Sequence, residues 1–276
     1  MLLKTIAFIH QQFQPLQPSE VAAENGLLYA ARCMPDPFLH PYIAYYWELK
    51  SNDELLYEYP YHIVADGSVD IIFNCRQTEE SSLSVTSAQS FDIQLNGAIH
   101  YIGIRFLPAC VHYFFDLNLE DLTGQTLHSG DFFGNTLHEV EEKLLEVETL
   151  QQRISIIEQD LLQRMMKRNY ELDNRFLHSL HPIFHSAGNA FIQKEVAAFI
   201  SPRQLRRLFE RYIGLNPKTF ARIIRFQQTL SAMQRTPRKW WGRVFFDYGY
   251  YDQAHFIREF KTFYGDTPKS LQFPTE

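Results

Sequence analysis

The chain has 276 residues, 45% of them hydrophobic, and a formal net charge of −6. That length allows two domains with substantial cores. No run approaches the roughly 20 apolar residues of a membrane-spanning helix, and three scattered cysteines without a CxxC pair exclude a disulfide framework. The net charge hides an asymmetry, because residues 1–173 sum to −15 and residues 174–276 to +9. Binding follows the local field of a domain and not the chain average. The basic half is therefore suited to an anionic partner, unless it docks on the acidic half.

The start, MLLKTIAFIHQQFQP, has one lysine and a short apolar run but no small-residue cleavage site. It reads as a structural strand, not a signal peptide, and the scattered cysteines make the reducing cytoplasm the expected compartment. Residues 1–135 are mostly β in pattern: YIAYYWELK, HIVADGSVDIIFNC, SLSVTSAQSFDIQLNG and AIHYIGIRFLP are rich in β-branched and aromatic residues. Asp66-Gly67 and Asn96-Gly97 are turn dipeptides at points where a strand would reverse. Short strands at regular spacing, without alternating helices, predict a small barrel or sandwich.

From Thr136 the apolar period changes. Leu137, Val140, Leu144 and Val147 repeat at three to four residues, which predicts a helix over 136–147. Thr149 then opens a T-x-x-Q capping box with Gln152, and Ile154, Ile157, Leu161 and Met165 continue the stripe through 150–168. The stripe is suited to core packing or to a dimer seam. The polar run Asn169 to Asp173 divides a first domain, 1–173, from a second, 174–276.

The second domain repeats a small helical plan. Ser201 is an N-cap followed by proline at the first helical position. Leu205, Leu208, Phe209 and Tyr212 share one buried face, which leaves Arg203 and Arg207 pointing outward with Arg206 and Arg211 on the flanks. Gly214 stops this helix, and Pro217 starts a long buried linker helix carrying Phe220, Ile223, Ile224, Leu230 and Met233. In the second unit Trp241, Val244 and Phe245 form a short apolar helix, Gly249 makes the turn, and Asp252 caps the next helix. There Phe256, Phe260 and Phe263 face inward, leaving Gln253, His255, Arg258 and Lys261 outside. This is helix-turn-helix logic, with the second helix of each unit offered to a major groove.

The strings SPRQLRRLF, G-L-x-P, RFQQTL and GYYDQAHFIREFK followed by G-x-x-P resemble the DNA-binding module of the AraC/XylS family of bacterial transcription regulators. The resemblance spans 174–276 and implies two recognition helices, about 202–211 and 252–262, that enter successive major-groove segments of duplex promoter DNA. It implies base-edge contacts from Arg203, Gln204 and Arg207 in the first and from Gln253, His255 and Arg258 in the second, with Arg206, Arg211 and Lys261 also at the DNA surface. RNA polymerase would be a partner if the protein activates. The sequence departs from the family pattern where a small alanine is usual: Phe245 fills that place in the second unit, and FIQKEVAAF aligns poorly in the first.

Tyr46-Trp47, the run DGSVDIIF, GIRFLP and LEDLTGQTL resemble the small cupin-like domain that precedes this module in some members. That resemblance implies a role in sensing a small-molecule effector or in forming a homodimer. The expected fold class is α+β: a small cupin-like β-barrel, a helical pair, then an all-α double helix-turn-helix domain.

Other chemistries find less support. His178, His181 and His185 have metal-ligand spacing on a helix face, but Pro182 is expected to interrupt that helix. His40, His62, His100 and His112 lack the close His-x-His and Glu grouping of a metal cupin, and turn chemistry accounts for Asp66. No G-x-S-x-G, P-loop or G-x-G-x-x-G occurs. The expectation is a regulator that is not an enzyme and carries no cofactor; the alternative is a cupin-like metal-dependent enzyme fused to a DNA-binding module.

Overall fold

The computed structural model describes residues 13–17, 27–78, 80–120, 122–128, 130–189 and 200–271. The strand expected at the start lies mostly outside these residues. Residues 13–17 have no regular structure, and there Phe13 and Leu16 are buried.

Among the described residues eight strands form two antiparallel sheets. The larger has the order β1 (Leu27–Cys33), β2 (Ile43–Ser51), β7 (His100–Phe106), β4 (Val69–Asn74), β5 (Ser82–Val85), β8 (Thr126–His128). The smaller pairs β3 (Leu55–Ile63) with β6 (Phe91–Gly97). Among the described residues no ladder joins the two sheets, so as described the β half is an open cupin-like pair of sheets, not a closed barrel. Both turn dipeptides sit at the corners responsible. Asp66-Gly67 carries the chain from β3 to β4 and Asn96-Gly97 from β6 to β7, and in each case the flanking strands belong to different sheets. They mark sheet-switching corners, not hairpins. Gly67 holds φ +80, and a Cβ there would come within 2.9 Å of the Phe220 ring.

The larger sheet has two unlike faces. Register places Tyr46 opposite Ile104, and Ile71 opposite Ile104 on the other side, an apolar face typical of a covered sheet. The other face carries Tyr45, Trp47, Asp70 and Arg105, with Trp47 opposite Gly103 and Asp70 opposite Arg105. The apolar face meets the second helix of the pair α2 (His138–Leu145) and α3 (Leu150–Arg168), whose Arg153 lies 3.4 Å from His100 on β7; α2 packs against α3, and both follow a short α1 (Gly130–Phe133). Ile154, Ile157 and Leu161 are buried, and the Thr149–Gln152 capping box forms as the sequence predicts. A polar fringe secures α3: Arg153 donates to the carbonyls of Leu144, Val147 and Glu148, and Glu158 accepts from the Asp36 amide at 2.7 Å.

The basic half follows. It comprises α4 (Asn174–His185), α5 (Pro202–Ile213), α6 (Pro217–Gln234), α7 (Trp241–Asp247) and α8 (Gln253–Tyr264). Pro182 does not interrupt α4. It lies in the last turn, where it costs the single bond that its N–H would have made to the His178 carbonyl. The stretch 190–199, which holds all of the poorly aligning FIQKEVAAF, lies outside the described residues. Phe245 is accommodated as an aromatic layer, its ring stacked on Phe256 at 5.1 Å and 8°.

Candidate nucleic-acid interface

Each outward helix is fixed at both ends by residues legible in the sequence. On α5 the Ser201 side chain accepts from the Gln204 amide, and the Gln204 side chain accepts from the Ser201 amide, completing a capping box. Gly214 ends the helix in a left-handed turn. On α8 Asp252 accepts from the His255 amide at 2.7 Å, and Gly265 ends the helix. Leu205, Phe209 and Tyr212 are buried under α5, and Phe256, Phe260 and Phe263 under α8, as the spacing predicts.

The polar faces that remain are largely open. Arg203, Arg206, Arg207 and Arg211 on α5 are exposed, as are Gln253, Arg258 and Lys261 on α8. Two expected base readers have other employment. The Gln204 carboxamide oxygen takes bonds from both the amide and the hydroxyl of Ser201. His255 is half-buried, with its ring edge on Tyr250 and its Nε2 3.7 Å from Glu259. Arg206 is paired with Glu210 at 2.6 Å one turn on.

One ion cluster holds α8 on the linker helix. Glu259, nearly buried, accepts from Arg222 at 2.5 Å and from Arg225 at 2.6 Å, both on α6. Burial alone would raise the Glu259 carboxyl, but the two guanidinium donors outweigh it and hold the group below its ordinary value. A second basic cluster, which the sequence reading missed, surrounds Trp240: Lys239 lies 5.6 Å and Arg243 4.8 Å from its ring. The run RKWWGR interleaves cations with indoles and was the available signal. His178, His181 and His185 are all exposed, and the rings of the last two stack at 5.7 Å. Among the described residues no three His, Cys, Asp or Glu side chains come together as a metal site. His62, His100 and His112 bond instead to Asp92, Glu48 and the Tyr212 carbonyl.

A helix-turn-helix domain family matches residues 196–272. Residues 196–272 are a helix-turn-helix domain of the AraC/XylS type. The chain is thus a DNA-binding transcription regulator with a β domain ahead of its reader. Residues 31–128 match a domain of unknown function (DUF6597). Among solved structures the chain is similar to ToxT from Vibrio cholerae, with 11% identity over 88% of this chain and 96% of that one, at a TM-score of 0.44. A second ToxT structure from that organism shows 13% identity over 88% and 95%, at a TM-score of 0.38. No curated protein matches. Among the described residues no helix is long and apolar enough to cross a membrane.

The β half presents a second feature that the sequence reading did not find. A cavity of about 220 Å³ lies between the two sheets, lined by Trp47, Tyr61, Asp66, Asp70, Phe91 and Arg105 among others. Arg105 is buried and bonds Asp70 twice, Nε to Oδ1 at 2.9 Å and Nη2 to Oδ2 at 2.6 Å. Its Nη1 reaches Asp66 at 3.2 Å and the Tyr45 hydroxyl at 2.9 Å. Burial opposes the guanidinium charge, but Asp70, Tyr45 and Asp66 reverse that effect and keep Arg105 protonated. The signal in the sequence was an arginine inside the apolar strand GIRFLP, facing the run DGSVD.

Proposed function

We propose that this regulator reads promoter DNA sequence-specifically through α5 and α8, and that its β half senses a small molecule. The observation that carries the first part is a pair of capped helices whose outward faces bear exposed arginine and glutamine, mounted on one ion-paired frame. Arg203, Arg207, Gln253 and Arg258 are assigned to base edges, since arginine suits guanine and glutamine suits adenine by bidentate geometry. Arg206, Arg211 and Lys261 are assigned to phosphate, together with Lys239 and Arg243. Gln204 and His255 serve the frame first, one as a cap and the other against Tyr250 and Glu259. Phosphate contacts supply most of the affinity and make it fall steeply with salt. The reading places the protein in the cytoplasm as a regulator and not an enzyme. RNA polymerase is a partner if it activates, and a second copy of the chain is a partner if it dimerises.

The cavity between the sheets supports the sensing role. Its rim is also the point at which the β half holds the reader. Selection of bound duplexes from a random library by the full chain tests the DNA reading. An enriched motif of two elements on one face of the helix is expected. Recovery of unenriched sequence at all salt concentrations would overturn sequence-specific binding.

A further inference from the structure

The cavity also indicates the kind of molecule it accepts, an inference that rests on the β half being a sensor. Its charges are unbalanced. Among the described residues the ionisable acids and bases that line it are Asp66, Asp70 and Glu80 against Arg105 alone. Asp66 and Asp70 are buried against that guanidinium while Glu80 lies exposed to solvent, and the guanidinium is already committed. Three of its five N–H groups donate to Asp70 and to the Tyr45 hydroxyl, and its Nη1 also lies 3.2 Å from Asp66. An anionic ligand would meet surplus negative charge and a cation most of whose donors are already taken.

The aromatic floor points the same way. Trp47 and Gly103 are cross-strand partners on the cavity-facing side of the sheet. A Cβ on Gly103 would stand inside the Trp47 ring, so the missing side chain is what lets the indole lie flat against the sheet. Trp47 itself lines the cavity. Its Nε1 donates to Asp70 Oδ2 at 3.2 Å, which anchors the ring and feeds negative charge into it. An indole face beside surplus carboxylate is the favoured seat of a cation. Ser68 adds an unused polar handle: it is buried, lines the cavity, and its Oγ has no hydrogen-bond partner among the described residues.

Size sets the remaining limit. A cavity of about 150 Å³ holds benzene, so about 220 Å³ suits a body slightly larger than that. We propose that the cavity binds a small organic cation, an ammonium group on a compact apolar or aromatic body, seated over the Trp47 indole with Ser68 Oγ as acceptor.

Titration calorimetry on the full chain with benzylamine, benzyl alcohol and benzoate tests this, since the three share a body and differ in charge. Benzylamine is expected to bind at least tenfold more tightly than the alcohol, with benzoate weakest. The W47L substitution should remove that preference. Because it removes a core ring, S84L serves as an independent check, filling the cavity from β5 and abolishing benzylamine binding. The surface substitution E80Q should weaken the amine severalfold and leave the alcohol unchanged. Equal or tighter binding of the alcohol or benzoate, lost in S84L, would overturn the cationic assignment and leave the sensing role standing. No binding by any of the three would overturn both. Benzylamine binding that persists in S84L would place the cation elsewhere and overturn the site.

Discussion

Arg258 and Phe256 lie two positions apart on α8 and do opposite things. Arg258 is exposed, whereas Phe256 is buried between Phe245, Tyr250 and Phe260. R258A should therefore weaken binding to a cognate promoter by about 1–3 kcal/mol and leave the melting temperature unchanged. Equal promoter affinity of the two proteins would remove Arg258 from the contact set. F256A should do the reverse and destabilise the fold by about 3–5 kcal/mol, and an unchanged denaturation midpoint would contradict its place in the core. Both assignments were legible, because helical spacing alone decides which side of α8 a residue occupies. The second roles of Gln204 and His255 were harder to see. The capping-box pattern at Ser201 was present in the sequence, but an exposed glutamine satisfies a cap and a base-reading motif equally well. The partners of Arg105 lie on β2, on β4 and in the corner before β4, 35 positions away for Asp70 and 60 for Tyr45, and no local pattern records which strands will pair.

Helices α6 and α8 are joined by apolar packing and by the Glu259 cluster, and the cluster sets how rigidly the second reader is held. Glu259 is nearly buried, and the Arg225 side chain is 13% exposed against 38% for Arg222. Removing the carboxylate strands one guanidinium away from water and releases the other. E259A should cost toward the lower end of the about 3–5 kcal/mol typical of a broken buried pair, as read by chemical denaturation. Promoter affinity should fall with it although Glu259 is not assigned to DNA. The folded carboxyl lies below its ordinary value, so its stabilisation is complete above that value and is lost as pH falls through the folded one. At this scale the helices were the most legible part, since caps at Thr149, Ser201 and Asp252 and glycine stops at Gly214 and Gly265 bracket them. The strands were less so. Turn dipeptides mark where the chain bends but not whether the next strand returns to the same sheet, so two sheet-switching corners looked like hairpins.

The acidic half does dock on the basic half, and it does so at the ends of the outward helices. Ala65 and Ser90 donate their amides to the carbonyls of Phe263 and Thr262 at the end of α8, each at 3.0 Å, and His62 bonds the Tyr264 carbonyl. Gln227 on α6 bonds both Leu16 and Ala65. Val64, Asp66 and Ser68 of the same corner line the cavity, so an occupant and the second reader share one loop. At the end of α5, Leu119 donates to the Arg211 carbonyl and His112 bonds the Tyr212 carbonyl at 3.1 Å. His112 is the titratable member of this second contact. Burial, helped by the charges of Arg211 and Arg168 and opposed by the Tyr212 carbonyl and Asp116, depresses it to about 4, while Tyr170 and Tyr212 supply neutral rings. An unfolded His112 would take up a proton near its ordinary 6.5, so between about 6.5 and 4 the unfolded chain binds more protons and stability falls as pH falls. The loss approaches about 3 kcal/mol at the acid end. It precedes the loss at Glu259, which begins only as pH falls to the ordinary carboxylate value. Denaturation midpoints from pH 7 to pH 4 should therefore decline in the natural protein and stay flatter in H112Q, which keeps a donor but does not titrate. Parallel pH profiles for the two proteins would show that the contact between the β half and α5 does not depend on a neutral His112.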